Sequence, residues 1–206
     1  MRNRRRLIAA LIFSLVSPFG IAQTDSLPNE WYQSGSAPAN YEMTLDTSVK
    51  RSGRSSARIS HKEGSAEDFG TLLQAIEADR YRGKRLMLSG WLKTENARSA
   101  HIWMRVQSSP TLMVGFDNMG NRPVTDTTGW HRYDVVLDIP KDAIYIAFGA
   151  FLIGKGRIWI DDFDLNTVEG HVPSTNLLTP EEVKENSDMK SPRKVLKSPV
   201  NLNFEQ

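Results

Sequence analysis

The sequence predicts an all-β protein, a sandwich of two antiparallel sheets, on three observations. Residues 130–140 alternate strictly, with His131, Tyr133, Val135, Leu137 and Ile139 on one side and Arg132, Asp134, Val136 and Asp138 on the other. That is the period of a strand with one buried face. Residues 142–154 are apolar or small on both sides, as in a strand covered by a layer on each face. No stretch of useful length before residue 170 keeps a helical period, whereas eight or nine short apolar runs separated by turn residues do occur.

The chain opens as a secretory signal over residues 1–22. Arg2, Arg4, Arg5 and Arg6 precede an apolar core of about ten residues, and Gly20-Ile21-Ala22 suits cleavage. A membrane span needs about 20 apolar residues, so an uncleaved anchor is the weaker reading; after cleavage no span is expected, and the mature chain is expected to be extracytoplasmic, periplasmic or secreted. The whole chain carries 26 basic and 24 acidic residues; losing four arginines leaves 22 against 24, a net charge of −2. The basic isoelectric point is therefore largely a property of the signal and gives no support for nucleic-acid binding. The absence of cysteine excludes disulfides and thiolate metal sites.

Within the module, residues 23–168, short strands are expected at 41–46, 55–61, 69–76, 85–94, 101–107 and 111–118. Residues 95–99 read as a polar turn and 119–128 as a long polar loop. In 156–165, Ile158 and Ile160 keep one phase and Phe163 and Leu165 the other. The change falls at Asp161-Asp162 and predicts a β-bulge that re-aims two carboxylates. Residues 169–199 turn polar and proline-containing, a linker or tail in which Thr179 and Pro180 predict one short capped helix. A small apolar patch, Val200-Asn201-Leu202-Asn203-Phe204-Glu205, ends the chain.

The strongest candidate site is an aromatic and polar sheet face. Trp91 and Lys93 share one side of their strand, as do His101, Trp103, Arg105 and Gln107 on the next. If the 95–99 turn makes these strands neighbours, two indoles stand beside several polar groups, with Asp117, Asn118 and Arg122 at or near the rim. Aromatic faces stack on the C–H faces of sugar rings while polar groups bond hydroxyls, so a carbohydrate or glycan is the first ligand class. The competing reading is a face filled by its own side chains, with Arg105 simply paired to Asp117, in a structural or protein-interaction domain. No nucleophile–base–orienter motif surrounds His61, His101, His131 or His171, and Asp161-Asp162 is too close a pair to flank a glycosidic bond. The expected role is non-catalytic.

Arg51-Ser52-Gly53-Arg54-Ser55-Ser56-Ala57, Leu88-Ser89-Gly90-Trp91-Leu92-Lys93, Gly129-Trp130-His131-Arg132-Tyr133 and Ile158-Trp159-Ile160-Asp161-Asp162-Phe163 follow one another in the chain. Together, in that order, they resemble carbohydrate-binding modules of the jelly-roll, galactose-binding-domain-like type. Phe116-Asp117-Asn118-Met119 and Arg122-Pro123 are similar to a bacterial subgroup of uncharacterised modules, some of them in proteins labelled transcriptional regulators. The resemblance implies a jelly roll that binds glycan. It also implies a structural Ca²⁺ held by Asp161 and, from an opening strand, by a glutamate. That opening Asn-x-x-Phe-Glu strand is missing at the start and matched at the end by residues 201–205, so residues 200–206 are expected to wrap round as an edge strand and bring Glu205 to the metal. A disordered terminus, the start of a second module, and a solvated bulge without metal are the other readings.

Overall fold

The computed structural model describes residues 26–185 and 192–205; the signal expected at residues 1–22 lies outside them. Nine strands carry the fold: β1 (Tyr32–Gly35), β2 (Tyr41–Asp46), β3 (Ser56–His61), β4 (Phe69–Glu77), β5 (Arg85–Ser109), β6 (Leu112–Asp117), β7 (Val124–Asp138), β8 (Tyr145–Ile153) and β9 (Arg157–Val168). Every pairing between them is antiparallel.

The organising element is β5, 25 residues long. Its first half lies between β9 and β7, and its second half between β8 and β6. One layer therefore runs β2-β3-β9-β5-β7 and the other β1-β4-β8-β5-β6, an all-β sandwich whose layers share one strand. The strand changes layer where its register with β7 slips, between Leu92 and Ala100, with Asn96 at φ +48°. Buried Ala97 and Ala100 leave room for the bend. Residues 95–99 are thus not the hairpin turn expected from their polarity. The loop expected at 119–128 is also shorter, because β7 starts at Val124.

Alternate residues of both layers meet in one core that includes Leu72, Ile76, Leu86, Leu88, Leu92, Ile102, Phe148, Ile158 and Ile160. The expected bulge is present. Asp164 pairs Ser89 and Asp161 pairs Trp91, so β9 spends one more residue than β5, and Asp162 sits at φ +46°. The slip returns Phe163 and Leu165 to the core after Ile158 and Ile160.

Beyond β9 the described residues are bound to the sandwich. Thr175 takes the Val136 carbonyl and receives its amide, and Asn176 and Leu177 bond Phe116, so this segment covers the outer edges of β7 and β6. The expected helix is α1 (Pro180–Glu185). The Thr179 hydroxyl accepts the Glu182 amide at 3.3 Å, and the Glu182 carboxylate accepts the Thr179 amide at 2.8 Å, a reciprocal cap. Leu196 then bonds β4 in parallel beside β1, and residues 200–205 run beneath Trp31. Phe204 enters the core with Trp31 and Phe163 at ring distances of 5.1 and 6.0 Å. The segment docks through turns, not as the edge strand expected for residues 200–206.

Candidate ligand cleft

Period two gives the β1-β4-β8-β5-β6 layer a second apolar surface on its outer face, where Leu73, Ala75, Trp103, Tyr145, Ala147 and Phe151 cluster. Half-buried Tyr32, Phe69 and Phe116 pack against it. Above them opens a cleft of about 750 Å³, bordered at one end by Pro192 and Arg193 of the C-terminal segment.

Trp103 forms part of its floor. Only 8% of the residue is exposed, and its indole N–H donates to the Thr71 hydroxyl at 3.0 Å. Arg105, two residues on, holds its guanidinium 5.9 Å from the Trp103 ring centre and acts electrostatically on Tyr32 and Tyr145. Burial raises the Tyr32 phenol to about 12 despite that cation. His101 stacks on Phe151 at 4.3 Å. Its Nδ1 lies 2.9 Å from the Asn118 carbonyl, which can only accept, so Nδ1 carries the proton; Nε2 then accepts from the Ser99 hydroxyl at 2.6 Å. Burial pushes the His101 pKa below its ordinary value, so the ring stays neutral at neutral pH. Asn118 commits its side-chain oxygen to the Gly120 amide, leaving its NH₂ as a donor on the cleft wall.

Of the residues expected at this site, Trp103, Arg105 and Asn118 line the cleft, and Trp91, Asp117 and Arg122 do not. Trp91 belongs to the half of β5 in the other layer, where the Arg51 guanidinium lies over its ring at 3.9 Å. The two indoles fall on different sheets because β5 crosses between them. Asp117 is fully buried, bonded to Arg122 at 2.5 Å and to the Met119 amide at 2.8 Å. Arg122 also reaches the Asp134 carbonyl, so the pair ties the β6–β7 loop to β7 instead of forming a rim. Asp117 therefore pairs with Arg122 rather than with Arg105. Tyr32, Phe69, Phe116, Phe151 and Ser99 were missed. Their signal was present in part: Phe69, Thr71 and Leu73 share one phase of β4.

The residues expected to hold calcium do something different. Asp161 is fully buried and accepts the amides of Arg51 at 2.8 Å, Ser52 at 3.2 Å and Asp162 at 2.8 Å. Glu205 accepts the amides of Arg54 and Ser55. Gly53, at φ +57°, lets the loop close on Glu205, where a Cβ would meet its carboxylate at 2.1 Å. The loop turns N–H groups toward both carboxylates, and among the described residues no group of three or more His, Cys, Asp or Glu side chains gathers as a metal site. The carboxylates anchor the loop themselves.

No protein-family model matches the chain. The uncharacterized HTH-type transcriptional regulator YbfP of Bacillus subtilis (strain 168) is 41% identical over 180 residues, 85% of this chain. The chain spans 56% of that regulator's length. Among solved structures, a cyclase from Fischerella sp. TAU superposes with a TM-score of 0.56 at 11% identity, covering 74% of this chain and 92% of the other. The enzymatically active domain of bacteriophage CBA120 tailspike protein 4 gives 0.55 at 17% identity, over 71% of this chain and 20% of that one. The CBM22-1 xylan-binding domain from Paenibacillus barcinonensis Xyn10C gives 0.50 at 11% identity, over 72% and 92%. Identities this low speak for the fold alone: the chain has the jelly-roll-like sandwich that carbohydrate-binding modules also have.

Proposed function

We propose that the chain is an exported, non-catalytic binding module that takes a glycan in the cleft on the outer face of the β1-β4-β8-β5-β6 layer. The observation that carries this reading is the composition of the cleft walls. Half-buried rings of Tyr32, Phe69 and Phe116 alternate with the polar groups of Ser34, Arg105 and Asn118 around about 750 Å³. Rings of that kind stack on the C–H faces of sugars, while fixed donors and acceptors select hydroxyl positions. The CBM22-1 domain is named for xylan binding on the same fold, which is compatible with this reading. The regulator relative is compatible with a module whose ligand acts as a signal.

Titration of the mature chain with a panel of oligosaccharides, followed by intrinsic tryptophan emission, tests the proposal. At least one sugar is expected to shift the emission, Phe116→Ala to weaken its binding about tenfold, and Trp91→Ala to leave it unchanged. If no sugar binds, or if Trp91→Ala is the damaging change, the cleft is not the glycan site. A partner protein would then be the occupant to seek.

The contact between Ser99 and His101 has the order of a nucleophile and its base. In the proposed reading it only satisfies a buried imidazole. A fluorophosphonate is accordingly expected to leave Ser99 unlabelled, and p-nitrophenyl acetate to hydrolyse at the buffer rate. Stoichiometric labelling of Ser99, seen by mass spectrometry, would instead make the module an acyl hydrolase.

A further inference from the structure

The lining of the cleft changes character with depth. Its buried residues are Thr71, Leu73, His101, Trp103 and Phe151, and every side-chain donor among them is already committed. The Thr71 hydroxyl donates to the Ala150 carbonyl at 2.9 Å and accepts from the Trp103 indole at 3.0 Å. Both nitrogens of the His101 ring are taken up, one by the Asn118 carbonyl and the other by the Ser99 hydroxyl. Polar side chains recur where exposure rises, at half-buried Arg105 and Asn118 and at exposed Gln33, Ser34 and Arg193.

A sugar ring is poorly served by such a floor. Each hydroxyl pressed onto it would leave water for a surface whose donors are spoken for, and burying a polar group without a partner is unfavourable. An apolar group meets no such loss and gains from leaving water. The rings at the floor further favour a flat group over a puckered one. Phe69 and Phe151 meet edge to face with centres 5.8 Å apart, and half-buried Phe116 stands at the same surface. A further planar ring can offer its face to one of these and its edge to another, which a saturated ring cannot.

We infer that the cleft takes a glycan bearing an aromatic substituent, with the aromatic group on the floor of Leu73, Trp103 and Phe151 and the sugar toward Ser34 and Asn118. The inference deepens the glycan reading and rests on it. It joins a floor without an uncommitted donor to a polar mouth in one amphipathic ligand. The cleft of about 750 Å³ lies in the upper part of the range of small-molecule sites, about 300–1,000 Å³, and has room for both parts at once.

The test is calorimetric titration of the mature full chain with the phenyl, cyclohexyl and methyl β-glycosides of glucose, galactose, xylose and N-acetylglucosamine, and with phenol. For at least one sugar the phenyl glycoside is expected to bind about tenfold tighter than the methyl glycoside, and also tighter than the cyclohexyl glycoside and phenol. Leu73→Asn and Ile153→Asn, each checked for cooperative unfolding, are expected to reduce the phenyl advantage severalfold. Ile153 lines the cleft half-buried at the end of β8, so its variant is expected to fold even if the Leu73 variant does not. Equal binding of phenyl and methyl glycosides overturns the inference and leaves the glycan reading standing. Cyclohexyl binding equal to phenyl overturns the aromatic class. Phenol binding as tightly as its glycosides removes both readings, because the sugar then contributes nothing. Binding of none by folded protein overturns the inference, and the oligosaccharide panel then decides the glycan reading separately. A phenyl advantage that survives both substitutions overturns the placement on this floor.

Discussion

Replacing Phe204 with alanine is expected to lower the unfolding free energy by about 3–5 kcal/mol, the range for truncating a fully buried aromatic ring. For a domain of this size that is a fall in melting temperature on the order of 10 °C. The ring is completely buried. It closes a cluster with Trp31 and Phe163, and the main chain around it is bonded into the body of the sandwich. The Ser55 hydroxyl donates to the Phe204 carbonyl at 2.6 Å, the Phe163 amide to that of Leu202 at 2.9 Å, and the Trp31 indole to that of Asn201 at 3.1 Å. Phe204 also adopts φ +56°, a conformation that an L-residue keeps only when its surroundings impose it. Thermal unfolding followed by circular dichroism reads the outcome. A melting midpoint within a degree of the parent would mean that residues 200–205 do not dock in solution.

The second large effect is expected at Asp161. Removing its carboxylate with alanine leaves the amides of Arg51, Ser52 and Asp162 without their acceptor. Each orphaned donor costs about 1–3 kcal/mol if it stays dry. The loop bearing Arg51 and Ser52 is partly open to water, so the expected total is about 3 kcal/mol rather than the full sum. Asp161→Asn is expected to cost less. Burial is the largest influence on the Asp161 carboxyl and raises its pKa, with the three amides opposing it. A raised folded pKa means that ionised Asp161 subtracts stability once pH exceeds that value. Asparagine avoids that cost while keeping one oxygen acceptor. Denaturant unfolding at neutral pH ranks the two variants. The parent is expected to melt at the same temperature in EDTA and in calcium. A rise of several degrees with calcium would restore the cation to this site and refute the loop-anchor account.

Asp46 shows how differently a carboxylate behaves when its surroundings are richer in donors. Burial alone would raise it, yet the Ser48 hydroxyl, the Trp159 indole and the Val49 and Ser48 amides bring it down to about 2. Asp161, at the β9 bulge, has only amides to offset its burial, and the adjacent Asp162 charge works against it. The two were indistinguishable as letters, because the indole that serves Asp46 lies 113 positions away.

Local patterns were enough for the fold class, the strand runs at β2, β3, β4 and β6, the cap of α1 and the bulge at Asp161-Asp162. Each depends on residues within a few positions of one another: a period of two, a Thr-Pro-x-Glu cap, a change of phase. Arg105 could be placed on a sheet face for the same reason. The partner of Trp103 could not. Alternation says that Trp91, Trp103 and Arg105 share a phase along their strands, but it does not say whether residues 95–99 reverse the chain or bend it. The tertiary structure bends it, because buried Ala97 and Ala100 let one strand serve two layers, and that single choice separates the two indoles. Long-range packing likewise decided that Asp161 and Glu205 hold a loop by its amides and that Phe204 enters the core. These outcomes join residues far apart in the chain, whose meeting is set by how the layers close on one another, and no short-range pattern in the sequence carries that information.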